Sequence, residues 1–94
     1  MIDDKETRVA VTGELDHEAG PQLRRILVAA IVAGRTIRLD LSKVTFVDSE
    51  GIKALYDAAD VALNYKVHLI VDHATRTVTR LLQAFGLDRL IDRD

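Results

Sequence analysis

The sequence predicts an α/β fold in which a small sheet is packed by helices. Two observations predict it. Stretches with an apolar period of two take turns along the chain with stretches of period 3.6, in the order β-α-β-α-β-α. Helical stretches separate the strands, so strands joined through a helix are expected to be parallel neighbours.

The elements follow in order. Thr7 to Thr12 reads as a strand with Val9 and Val11 on one face and Arg8 and Ala10 on the other, ended by Gly13-Glu14-Leu15-Asp16. Asp16 is a good N-cap for a helix starting near His17, with Pro21 tolerable only in its first turn. Leu23, Ile26, Leu27, Ala30 and Ile31 form one apolar stripe, and Gly34 is placed to stop this helix. Thr36 to Leu41 alternates as a strand, Ser42-Lys43 makes a turn or kink, and Val44 to Val47 continues extended. A second helix spans roughly Glu50 to Leu63, with Ile52, Leu55, Ala59 and Ala62 inward and Ala54, Ala58 and Ala62 giving a smooth side for close packing. Asn64-Tyr65 turns the chain into a strand from Lys66 to Val71. Thr75 or Thr77 caps a third helix, whose inward stripe is Val78, Leu81, Leu82 and Phe85. Gly86 suits a left-handed C′ position, and Leu87 to Ile91 forms a last short helix or strand.

Residues 1–94 make one domain, with 48% hydrophobic and 30% charged residues. The net charge of −2 gives no electrostatic footprint for nucleic acid. The apolar run Leu27 to Ala33 is bounded by Arg25 and Gly34, too short to cross a membrane. Met1 to Glu6 is acidic and polar, unlike a signal peptide. Cysteine is absent, which removes disulfides, thiolate ligands and cysteine nucleophiles, and suits a cytoplasmic address.

The chemistry concentrates at Val47-Asp48-Ser49-Glu50-Gly51-Ile52, where a strand runs into a helix. Ser49 has two readings there: an N-cap, or a phosphorylation site whose added charge of about −1.5 to −2 a helix N-terminus tolerates. Asp48 and Glu50 read as a metal or acid–base pair, or as partners of the helix dipole. Gly51 reads as access for a partner's backbone, or as a weak spot in the first turn. His17, His68 and His73 lack ligand spacing, so no metal or other cofactor is expected. A triad of Ser49 with a histidine and an acid would make a small serine hydrolase, but no Gly-x-Ser-x-Gly elbow is present. The five glycines, at 13, 20, 34, 51 and 86, form no phosphate loop. Arg76, Arg80 and Arg89 read as a solvated face.

Four pieces in sequence carry a resemblance: Gly13-Glu14-Leu15-Asp16, Ile37-Arg38-Leu39-Asp40-Leu41-Ser42, Val44-Thr45-Phe46-Val47-Asp48-Ser49-Glu50-Gly51 and Gly86-Leu87-Asp88-Arg89-Leu90. From about Thr7 to Ile91 the chain resembles a STAS domain, among these the free-standing anti-sigma factor antagonists of bacteria. The resemblance implies a four- to five-stranded mixed β-sheet packed against three to four helices. It implies a binding protein rather than an enzyme, with Ser49 matching the serine phosphorylated by a cognate anti-sigma factor, an ATP-dependent serine kinase. Unphosphorylated antagonist binds that kinase and frees the sigma factor; the phosphorylated form lets go, and a PP2C-type phosphatase resets it. Asp16 and Asp48 match acidic positions near the phosphoacceptor. The partner surface then comprises Asp16, His17, Asp48, Ser49, Glu50 and Gly51, with the Gly13–His17 loop. Many members carry Asp-Ser-Ser-Gly; here Glu50 replaces the second serine, leaving one hydroxyl with a permanent charge beside it. Glu50 also supports a rival reading, a non-switched scaffold module in a signalling assembly.

Overall fold

The computed structural model describes residues 5–92; Met1 to Asp4, the greater part of the acidic opening, lie outside the described residues, as do Arg93 and Asp94. Three strands, β1 (Glu6–Leu15), β2 (Thr36–Val47) and β3 (Leu69–Ala74), alternate with α1 (Ala19–Val32), α2 (Ser49–Tyr65) and α3 (Arg76–Ala84). A single 3-10 turn, Asp88–Leu90, follows. The sheet order is β1-β2-β3, and both pairings are parallel, because a helix returns the chain to the same end between consecutive strands. The mixed sheet of four to five strands is thus corrected to three parallel strands among the described residues. One isolated parallel bridge, Val71 to Ile91, stands where a further strand would begin.

β2 carries the fold's main irregularity. Ile37, Leu39 and Leu41 are buried in alternation, Ser42 and Lys43 are exposed, and Val44 is buried again. Ala10 pairs with Asp40 but Thr12 with Lys43, so β2 spends one extra residue there and Val44 returns to the core face. The Ser42 N–H donates to Asp40 Oδ1 (2.9 Å), closing this bulge. A second extra residue falls between Val44 and Phe46, and it leaves Phe46 exposed. The expected kink at Ser42-Lys43 is therefore a bulge within one continuous strand. β3 begins at Leu69 rather than Lys66, because Lys66 takes φ 56° to end α2 and the chain needs Val67 and His68 to reach the sheet.

One apolar cluster forms the core. It joins Leu15, Ile37, Leu39, Leu41, Leu69 and Val71 of the strands to Leu23, Leu27, Ile31, Leu55, Ala59, Val78 and Leu82 of the helices. Burying each large side chain contributes about 1.5–3 kcal/mol. Two stripe positions depart from expectation. Ile26 on α1 and Phe85 past the end of α3 are half exposed. Ile26 projects beyond the edge of a sheet only three strands wide, and Phe85 sits where the chain has already left the helix. On the opposite face of the sheet Arg38 reaches Glu6 (3.3 Å) and Asp92 (3.2 Å), and Arg8 reaches Asp72 (3.2 Å). These pairs lie at the surface, with Arg8 exposed and the other groups part-buried, and such surface pairs contribute about 0–1 kcal/mol each.

Candidate functional site

All three parallel strands deliver their C-terminal ends to one pole, and a helix starts at each. Parallel α/β sheets present their binding sites at this end. Each helix start is capped by a side chain. Asp16 Oδ1 accepts from the backbone N–H of Glu18 (3.1 Å) and Ala19 (3.0 Å); Asp48 Oδ1 accepts from Glu50 (2.9 Å) and Gly51 (3.0 Å); Thr75 Oγ1 accepts from Val78 (3.2 Å). The Ala19 and Glu18 N–H groups hold the Asp16 carboxyl below the usual carboxylate range. Asp16 caps as the sequence indicates, although regular helix begins at Ala19, so His17 lies in the turn and Pro21 in the first helical turn.

The N-cap reading of Ser49 is corrected. The cap of α2 is Asp48, in extended conformation, and Ser49 is the first helical residue, exposed to solvent. Its hydroxyl is not used to close the helix. Glu50, next along, is also exposed and lies in the first turn, where a negative charge suits the helix dipole.

The Asp16 loop and the Ser49 turn are drawn together by backbone. Leu15 pairs with Val47, and the Asp48 N–H donates to the Leu15 carbonyl (3.2 Å). Beneath Ser49 two helices meet through glycine. A methyl group on Gly51 would collide with the Leu15 carbonyl oxygen and lie 2.9 Å from Leu15 Cγ; one on Gly20 would lie 2.9 Å from the Glu50 carbonyl oxygen. Gly51 is buried, so the close approach it permits is that of β1 within the same chain, and its assignment to a partner-facing surface is corrected. Asp16, His17, Asp48, Ser49 and Glu50 share the pole.

Sequence reasoning missed several neighbours. A cleft of about 310 Å³ between α1 and α2 is lined by Pro21, Arg24, Glu50, Lys53 and Asp57, with Arg24 bonded to Asp57 (3.2 Å). No sequence signal pairs these residues, since they come from two helices. Gly20 was likewise unmarked; only the helix crossing explains it. Phe46 is exposed, and its exposure depends on the second bulge. The histidines do not assemble a catalytic group. His17 lies 3.8 Å from Glu18, and among the described residues no hydrogen bond joins Ser49 to a histidine. No cluster of three or more metal-ligating side chains occurs among the described residues, and none of their helices is long and apolar enough to cross a membrane.

This fold and this pole define the class. A family model described as "Mlab, STAS domain" matches residues 1–92, and the chain belongs to the STAS domain family. Within it, the chain is similar to the anti-sigma-B factor antagonist of Bacillus subtilis (strain 168), 26% identical over 89 residues, covering 95% of this chain and 82% of the relative. It matches the structure of the anti-sigma factor antagonist SpoIIAA in its unphosphorylated form with a TM-score of 0.81 and 26% identity, covering 98% of this chain and 82% of that one. The phosphorylated form of Bacillus SpoIIAA matches in fold with a TM-score of 0.78 at 24% identity, over 98% and 85% of the two chains. The STAS domain of a SulP transporter from Vibrio cholerae shares the fold at 16% identity, with a TM-score of 0.73 over 97% and 75%. Both the curated relative and the unphosphorylated SpoIIAA structure are named as antagonists of an anti-sigma factor.

Proposed function

We propose that the chain is a cytoplasmic anti-sigma factor antagonist that binds a cognate anti-sigma factor through the pole around Ser49, and that phosphorylation of Ser49 releases it. One observation carries this reading: Ser49 is exposed at the first turn of α2 while Asp48 does the capping, so the hydroxyl is available for modification without loss of the helix start. The antagonist role is supported by the similarity to the Bacillus subtilis antagonist.

In this mechanism the anti-sigma factor is itself the serine kinase. It docks over Asp16, His17, Ser49 and Glu50, which lets the sigma factor go, and it transfers the γ-phosphoryl group of ATP to the Ser49 oxygen, with ADP as the other product. The phosphate then places a dianion between Asp48 and Glu50, opposite partner groups arranged for a hydroxyl. Leaving such a charge buried without a counter-ion costs several kcal/mol. A loss of about 2.7 kcal/mol already weakens binding about 100-fold. A PP2C-type phosphatase hydrolyses the ester and restores the hydroxyl. Phosphorylated and unphosphorylated SpoIIAA match this chain about equally well, in keeping with a switch that acts on the surface rather than on the fold.

Incubation with the cognate kinase and ATP, followed by mass spectrometry, tests the assignment. Phosphate is expected on Ser49 and absent from Ser49→Ala. A Ser49→Ala protein that is still fully modified would overturn it. Glu50, exposed beside the hydroxyl, favours one rival: a scaffold module that is not switched. Unchanged partner affinity after complete phosphorylation would select that rival.

A further inference from the structure

The flank of the sheet carries a second surface, independent of Ser49. Among the described residues β1 is an edge strand, with β2 on one side only. The Thr36 N–H donates to the Lys5 carbonyl and the Asp48 N–H to the Leu15 carbonyl, so odd-numbered residues of β1 turn their carbonyls toward β2. Because these directions alternate along a strand, the polar backbone groups of Arg8, Ala10, Thr12 and Glu14 face away from the sheet. Before them, the Glu6 carbonyl is already taken by the Arg35 guanidinium (2.7 Å), which also bonds the Thr7 hydroxyl. The open stretch therefore runs from Arg8 to Glu14, and its midpoint is Val11. An open edge of this length is a template for another strand.

We propose that this edge pairs antiparallel with the same edge of a second copy of the chain, with Val11 on the two-fold axis. The charges choose the occupant and the register. With Val11 on the axis, Arg8 of each copy lies across from Glu14 of the other, and Ala10 across from Thr12, so both ends of the ladder bring opposite charges together, with the solvent-exposed Arg8 side chain turning to Glu14 from its bridge to Asp72. Moving the axis to Ala10 would set Glu6 against Glu14. Moving it to Thr12 would set Arg8 against Asp16, which lies past the strand and is engaged in capping. The apolar side agrees. Val9, Val11, Leu23 and Ile26 line a groove along the edge, and 53% of Ile26 is open to solvent. A two-fold axis perpendicular to the sheet keeps the core faces on the same side, so this groove meets its own copy. The result is a six-stranded sheet in which the two Ser49 poles point in opposite directions, both open.

The chain contains no cysteine, so introduced thiols report the register directly. Val11 would sit opposite itself in a non-hydrogen-bonded pair, with Cα atoms about 4.5 Å apart, inside the span of about 4.4–6.8 Å that a disulfide bridges. Ala10 would lie diagonal to its own copy at about 7–8 Å. Under mild oxidation Val11→Cys is expected to form a covalent dimer and Ala10→Cys to stay monomeric on a non-reducing gel. Sedimentation of the cysteine-free chain is expected to show a concentration-dependent dimer. Glu14→Arg, which sets Arg8 against arginine twice, is expected to weaken it about tenfold, and the double variant Glu14→Arg with Arg8→Glu to restore it, each with an unchanged circular dichroism spectrum. A chain that sediments as a monomer at every soluble concentration overturns the proposal. So does a dimer indifferent to Glu14→Arg, or cross-linking of Ala10→Cys in preference to Val11→Cys.

Discussion

At the residue scale, the division of labour between Asp48 and Ser49 has measurable consequences. Asp48→Ala removes the acceptor of two backbone N–H groups and is expected to lower stability by about 0.5–2 kcal/mol in urea unfolding. Ser49→Ala removes no capping bond and is expected to stay within about 0.5 kcal/mol of the parent. The reverse order would return the cap to Ser49. Asp16 and Asp40 give a pH dependence. Backbone N–H groups lower the pKa of Asp16, and the Ser42 hydroxyl and N–H lower that of Asp40. As pH falls, the unfolded chain takes up these protons first. Their stabilisation is complete above the unfolded value of about 3.9 and is lost as pH drops through the lower folded values. The urea midpoint should therefore decline below about pH 4, and Asp16→Asn should remove part of that decline. Asp16 was legible as a cap because an acid before a helical stripe has one common use. Which of Asp48 and Ser49 would cap was not, since both are good capping residues and the choice rests on where the strand ends.

At the scale of elements, the two glycines fix how closely α2 lies to its neighbours, Gly51 against β1 and Gly20 of α1 against the start of α2. Gly51→Ala drives a methyl group into the Leu15 carbonyl, and Gly20→Ala drives one against the Glu50 carbonyl. Overpacking of this kind costs about 1–3 kcal/mol. Both variants should lower Tm, with Gly51→Ala the more severe because it meets backbone and side chain together. The helices were readable because their stripes recur with the helical period: Leu23, Leu27 and Ile31, then Ile52, Leu55, Ala59 and Ala62, are all buried. The bulges in β2 were not, since a bulge is set by the register of two strands and leaves no pattern in one. Phe46 shows the effect, since the second bulge leaves it exposed two residues after the buried Val44. The width of the sheet was likewise invisible locally, and with it the exposure of Ile26.

For the molecule as a whole, the proposed switch and the proposed dimer make separable demands. Ser49→Asp should leave the urea midpoint close to that of the parent while weakening binding to the anti-sigma factor by about 100-fold, read by calorimetric titration. An equal loss of fold and binding would place the effect in the interior. The dimer edge lies along the flank of β1, so Glu14→Arg should not alter modification of Ser49. The overall alternation of strands and helices was plain in the sequence, because each element has its own period. The pole was legible only as separate pieces, Asp16 in one and Asp48-Ser49-Glu50 in another, and hydrogen bonding between Leu15 and Asp48 is what joins them. The junction beneath them has a further implication. Where two main chains touch with no side chain between them, there is no slack for one helix to slide or tilt on the other. On the proposed reading, a visiting protein would then sense a modified alcohol from outside, atom by atom, where it is written.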